Sequence, residues 1–272
     1  MAQAAINGIH IHYVTYGPPT GMPVMLLHAF PLRGAMWQAQ AELLATELDC
    51  HVIVPDLRGF GDSEATVPPV LMETMADDVL ALADHLGHER FVLGGLSMGG
   101  YISLALLRMA SWRIRALILA DTKASTDTPA GRHNREELAQ LAEQHGVRAV
   151  ADTMLPRLLS SATIEQRPDI VAEVREMIES NSVIGIAAAS RGMALRTDTS
   201  ELLATVECPV QLLVGSLDAV VSIAEMQSMF QLLPEAQLEI ISGAGHLSNL
   251  ESSEQFGSAL VHFLRGISVD AE

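Results

Sequence analysis

Cysteine is nearly missing from this chain: Cys50 and Cys208 are the only two in 272 residues. Two lone cysteines make no disulfide framework, so a small scaffold held by bridges is excluded, and both are read as buried thiols. Basic residues are scarce as well, 16 against 33 acidic ones, for a formal net charge of −17. Such a field repels a phosphate backbone, and nucleic acid is not expected as a partner. No run has the length and apolar purity of a membrane span, so no membrane association is expected either. Met1 to Ile11 lacks a basic stretch followed by an apolar one. No signal peptide is read there, and a reduced, cytoplasmic setting is the expectation. Apolar side chains, by contrast, are plentiful: 49% of residues are hydrophobic and 18% charged. A chain of this size and composition buries a sizeable core without disulfides or metals.

Short apolar runs alternate with longer helix-period stretches, the pattern of a mostly parallel sheet wrapped by helices. Val24–His28, His51–Pro55, Phe91–Gly95, Arg115–Ala120, Gln211–Gly215 and Gln237–Ile241 read as strands. Helices are expected over Met36–Leu48, Leu71–Leu86, Met98–Met109, Ile223–Leu233 and Glu251–Leu264. A hairpin over Ala4–Ile9 and Ile11–Tyr16 opens the sheet. The alternation stops between Lys123 and Leu203, where only helical periodicity is found. One helix carries Glu136, Leu138 and Leu141; a second runs over Val147–Leu159, interrupted by Pro156. In a third, Ile170, Val171, Val174, Met177 and Ile178 share one face. Ser182–Leu195 gives a fourth. The expectation is a core of residues 1–122 and 204–272 with a helical cap, residues 123–203, inserted between two strands.

One strand, Phe91–Gly95, runs straight into Gly95-Leu96-Ser97-Met98-Gly99-Gly100 and then a helix. A serine on such a turn projects its hydroxyl from the sheet edge, and glycines before and after it clear the space the turn needs. The helix beginning at Met98 points its N-terminal N–H groups toward the reacting oxygen. Of ten histidines, His246 alone sits in a glycine-rich loop after a late strand, in GAGH. His10 and His12 share a face of the hairpin; they are read as surface strand residues rather than a metal site. Asp218, in GSLD, precedes His246 and is the first choice for the acid that orients the imidazole. Asp121, ending RALILAD, is its rival.

LLHAFPL, VIVPDLRGFGDS, GGLSMGGY, LADT, GSLD and GAGH together resemble the α/β-hydrolase superfamily over essentially the whole chain. Within it, the chain resembles the bacterial carboxylesterase, enol-lactonase and non-haem haloperoxidase-like branch. That resemblance implies the α/β-hydrolase fold with an inserted helical cap. It also implies a catalytic triad of Ser97, Asp218 and His246, and an oxyanion hole made by the backbone N–H groups of Phe30 and Met98. Two positions depart from the usual pattern: Ala29 stands where glycine is common, and Ser222 where proline is common. Ser222 and Glu225 form a capping-box pattern that starts the next helix in proline's place. Aspartate at the nucleophile position would mark a dehalogenase or epoxide hydrolase, and serine at 97 argues against both.

The function so implied is hydrolysis of small carboxylic esters through an acyl-enzyme, with no cofactor and no metal. Two specialised alternatives use the same triad: an enol-lactone hydrolase, or a cofactor-free perhydrolase or haloperoxidase. A non-catalytic ligand receptor is the alternative from another class. An apolar substrate pocket under the cap is expected to involve Phe30, Trp37, Met98, Met154 and Leu155, with core packing as the alternative for each. Met154, Leu155 and Met193 are expected to limit acyl length.

Overall fold

β-Branched and leucine-rich runs need both faces covered, and the computed structural model, which describes residues 2–267, pairs them into one eight-stranded sheet. The strands are β1 (Ala2–Ile6), β2 (Ile9–Tyr16), β3 (Pro23–Leu27), β4 (His51–Pro55), β5 (Phe91–Leu96), β6 (Ile114–Ala120), β7 (Val210–Gly215) and β8 (Ala236–Ile241). Their order is β1-β2-β4-β3-β5-β6-β7-β8, with antiparallel pairing only at β1–β2 and β2–β4. Every residue of β4, β5 and β7 is buried, whereas β8 alternates as an edge strand should. The sequence expectation for fold class is met, with strand ends displaced by one to three residues.

Between the strands lie α1 (Gln38–Leu48), α2 (Met72–His85), α3 (Met98–Ala110), α9 (Ile223–Leu232) and, after β8, α10 (Ser248–Glu251) and α11 (Ser253–Arg265). β3 leads to β4 on one side and β4 leads back to β5 on the other. Right-handed crossovers therefore put α1 on one face of the sheet and α2 and α3 on the opposite face. α11 packs on α1, and α2 packs on α3. The strand order reverses between β3 and β5, and a crevice opens at the carboxyl ends of strands at such a point. Register makes those ends level: Leu27 lies beside Gly95, Leu96 beside Ala120, Ala120 beside Leu213 and Gly215 beside Ile241. Residues that follow these strands consequently meet at one edge. Among the described residues, no helix is long and apolar enough to cross a membrane.

Between β6 and β7 run α4 (Pro129–Leu158), α5 (Ser161–Gln166), α6 (Pro168–Glu179), α7 (Val183–Ala194) and α8 (Ser200–Leu203). The helices expected around residues 136–142 and 147–159 both form, and α4 breaks between them at Gly146, which adopts φ 78°, ψ 177°. Two details differ from the sequence expectation. Pro156, expected to interrupt the second of these helices, does not. Proline in the last turn lacks one backbone donor but leaves the preceding turns intact. The C-terminal helix is also divided, at Ser252, into α10 and α11. Burial of Ile170, Val174, Met177 and Ile178 along α6 contributes on the order of 2 kcal/mol per side chain as an upper figure.

α7 docks on the core by close backbone approach as well as by burying Ile186, Ala188, Ala189 and Met193. A Cβ on Gly185 would lie 1.8 Å from the Gly59 carbonyl oxygen, and one on Gly192 would lie 1.7 Å from that of Val70. The Val70 N–H donates to the Ala188 carbonyl at 3.1 Å. Buried Asn181 adds a strut: its Nδ2 donates to the Pro31 carbonyl at 2.7 Å, while its Oδ1 accepts from the Gly61 N–H at 2.7 Å. Gly185→Ala should therefore destabilise the protein by roughly 1–3 kcal/mol in chemical denaturation, since both colliding atoms are main chain. A change within a few tenths of a kcal/mol would show that the two backbones are not in contact there.

Candidate active site

The turn after β5 forces Ser97 to φ 54°, ψ −110°, a conformation L residues rarely adopt. It is held there by the Ser97 N–H donating to the Ala120 carbonyl at 2.9 Å and by Thr122 Oγ1 donating to the Ser97 carbonyl at 2.8 Å. A Cβ on Gly95 would sit 2.2 Å from the Gly99 carbonyl, and one on Gly99 the same distance from the Leu27 carbonyl oxygen. The glycines thus create the clearance that lets α3 start immediately after the serine.

His246, 1% exposed, reaches the same edge from the loop after β8. Its Nε2 lies 2.9 Å from Ser97 Oγ, and its Nδ1 lies 2.8 Å from Asp218 Oδ2. A carboxylate only accepts, so the Nδ1–H tautomer is the one that satisfies both contacts. Asp218 Oδ1 accepts from the Val220 and Val221 N–H groups at 2.7 and 3.0 Å, which aims Oδ2 at the imidazole. The two loops are stitched together: the Leu217 N–H donates to the Ala244 carbonyl at 2.8 Å, and the Gly243 N–H to Ser216 Oγ at 2.9 Å. Ser222 and Glu225 make the full capping box, so α9 begins without a proline.

Asp121 does not touch the histidine. Completely buried, it accepts from the Gly215 N–H at 2.8 Å and from Ser248 Oγ, and it adjoins Asp218. Burial, and then the charge of Asp218, hold its carboxyl pKa well above the usual range. It sits behind Asp218, with one oxygen accepting from Gly215 and the other from Ser248.

The loop after β3 carries Phe30. Among the described residues, neither the Phe30 nor the Met98 N–H has a protein acceptor. Asp56 anchors this loop, accepting from the Gly34 N–H at 2.8 Å, from His12 Nδ1 at 2.9 Å and from Arg33 at 3.2 Å. His12, expected on the surface, is buried for this reason. His12, Asp56 and Asp62 offer ligand atoms within 4.8 Å of one another, but Arg33 bridges both carboxylates and already supplies the positive charge. His28 locks the loop from the other side: Nδ1 donates to the Ala29 carbonyl at 2.9 Å and Nε2 accepts from the Leu57 N–H at 3.0 Å.

Ser97 and His246 open into a cavity of about 170 Å³. Phe30, Met154, Leu138 and Val220 supply apolar wall; Lys123, Asp127, Arg135 and Arg157 supply charge. Three expected pocket residues, Trp37, Leu155 and Met98, do not line it. Trp37 is wholly buried and packs on Phe256, ring centroids 5.8 Å apart. Leu155 is buried beside Met154 but does not line the cavity. Met193 likewise is core, and Met98 is buried without lining the cavity by its side chain. A larger cavity of about 650 Å³ lies by the amino ends of β6 and β7, around Trp112 and Cys208, away from the serine.

A family model of the α/β-hydrolase fold matches residues 22–253. The chain belongs to the α/β-hydrolase family. Among solved members it resembles a thermophilic esterase of Thermogutta terrifontis, determined with malate bound: TM-score 0.93, 39% identity, 98% of each chain covered. The enol-lactonase of Burkholderia xenovorans superposes with TM-score 0.90 at 28% identity, over 97% of this chain and 100% of that one. A curated relative, 3-oxoadipate enol-lactonase 2 of Acinetobacter baylyi, is 27% identical over 252 residues, 93% of this chain and 92% of its own.

Burial holds the His28 pKa down to about 4 in this α/β-hydrolase, against smaller upward pulls from the Ala29 carbonyl and the Asp56 charge. Unfolded, the ring takes its proton near 6.5, whereas the folded form refuses it until about 4. Its contribution to stability is therefore whole above pH 6.5 and is lost as pH falls toward 4, roughly 3 kcal/mol at most. Imidazole ¹⁵N NMR at pH 5 should show His28 neutral with the proton on Nδ1. A protonated ring at that pH would contradict this account of the loop.

Proposed function

We propose that the protein hydrolyses small carboxylic esters by acyl transfer through Ser97. The observation that carries this reading is the continuous hydrogen-bonded chain from Ser97 Oγ through His246 to Asp218. Ser97 Oγ attacks the ester carbonyl as His246 Nε2 takes its proton, and the imidazolium is balanced by Asp218. Phe30 and Met98 N–H groups, lacking protein acceptors, donate to the oxyanion. One such donor contributes about 3 kcal/mol to the transition state in comparable sites. His246 then returns the proton to the leaving alcohol, and water reverses the steps to free the acid.

Likeness to the Thermogutta esterase at 39% identity supports the ester reading. A second reading, enol-lactone hydrolysis, is supported by the lactonase relatives over nearly the full chain. A lactone is a cyclic ester, and the same three residues serve it.

The acid assignment separates two carboxyls. Asp218→Asn should lower kcat by about 10⁴-fold on a short p-nitrophenyl ester, because an amide favours the wrong imidazole tautomer. Asp121→Asn should change kcat far less, since the imidazole is held by Asp218 and Asp121 binds Gly215 and Ser248 instead. The opposite ranking in folded variants transfers the role to Asp121. Running a lactone beside the ester decides between the two readings by kcat/KM.

A further inference from the structure

We infer that the cavity beside Ser97 selects esters whose acyl part ends in a carboxylate, the half-esters of short dicarboxylic acids. This inference rests on the ester-hydrolase reading above and narrows its substrate.

A chain with net charge −17 repels anions at long range. Yet of its sixteen cations, Lys123, Arg135 and Arg157 line this one small cavity together with Ser97 and His246. Lys123 is the single lysine in the sequence. The cavity's one acid, Asp127, does not cancel them. Arg196 donates to it at 2.9 Å from behind and Arg135 at 3.2 Å. Burial alone would raise the Asp127 pKa, but these two guanidiniums bring it down to about 2, a sign of the local positive field.

Little of this charge is consumed by the fold. Lys123 faces Glu225 at 3.7 Å, beyond hydrogen-bond distance, and the Glu225 carboxylate is already accepting from the Ser222 N–H at 2.8 Å. Arg157 makes no ion pair among the described residues. Arg135 gives one N–H to Asp127 and keeps the rest of its fork. The backbone that carries the lysine is also tied to the nucleophile, since it follows Thr122, whose hydroxyl binds the Ser97 carbonyl. Phe30, Leu138, Met154 and Val220 form the apolar wall of the same cavity, suited to a few methylenes. An acyl chain ending in a methyl group would leave Arg157 without a counter-charge, and Lys123 and Arg135 with only Glu225 and the shared Asp127. A carboxylate there forms charge-assisted hydrogen bonds with them.

The test compares monomethyl glutarate with dimethyl glutarate, followed by acid release in a pH-stat. The half-ester should be favoured in kcat/KM by about tenfold or more at low ionic strength, and added salt should shrink that ratio. Lys123→Met and Arg157→Met should each lower the ratio, and Lys123→Arg should restore much of it. Where a substituted chain does not fold, the wild-type ratio and its salt dependence give the answer unaided. Equal or better turnover of the diester overturns the inference and leaves the ester reading standing. Hydrolysis of neither ester removes that reading, and the inference with it.

Discussion

Everything at the active edge depends on one backbone constraint, the positive φ of Ser97. Holding a side-chain-bearing residue there costs on the order of 1–3 kcal/mol, and the surroundings must over-determine it. They do so from three directions. β6 supplies the Ala120 carbonyl, Thr122 grips the serine's own carbonyl, and Gly95 and Gly99 let α3 begin at van der Waals limits. Once the serine is fixed, sheet register decides what else reaches it. Level carboxyl ends bring the loops after β3, β7 and β8 to the same place, with no need for contact in sequence.

The helical segment between β6 and β7 is tied to that edge by hydrogen bonds as well as by apolar burial. Asn181 binds the Pro31 carbonyl in the loop that carries Phe30. Glu251 accepts from the Gly245 N–H beside His246 and from the Ser160 N–H just past α4, both at 2.9 Å. A shift of these helices therefore moves acceptors and donors that position the loops around Ser97. Asp56 performs the same duty within the core, holding the β3 loop through Gly34, Arg33 and His12.

Strands, elbow and the Ser97–His246–Asp218 grouping were legible because each has a local mark: an apolar run, a glycine pair, a loop at a strand end. What escaped depends on facing and on distance. Met154 and Leu155 are neighbours in sequence, both apolar and both buried, yet with one helical step of 100° between them only the first lines the cavity. Trp37 is apolar and near the right loop, but no pattern shows that its ring turns toward Phe256. The Asp127–Arg196 pair, 69 residues apart, and the Asn181 strut, 150 residues from Pro31, leave no trace in spacing. The cavity's charge was missed because lysine and arginine in helical stretches ordinarily read as solvated surface. The lone lysine was the available signal.

The central claim is that Ser97 carries the acyl group. Rapid mixing of the protein with excess p-nitrophenyl acetate, with acid quenching and intact-mass and peptide analysis, tests it most directly. The account predicts a burst of p-nitrophenol stoichiometric with protein and a single acetyl group on Ser97, absent in Ser97→Ala. Turnover without that adduct, or acetyl found on Lys123 or Cys208 while Ser97→Ala keeps full activity, would contradict it.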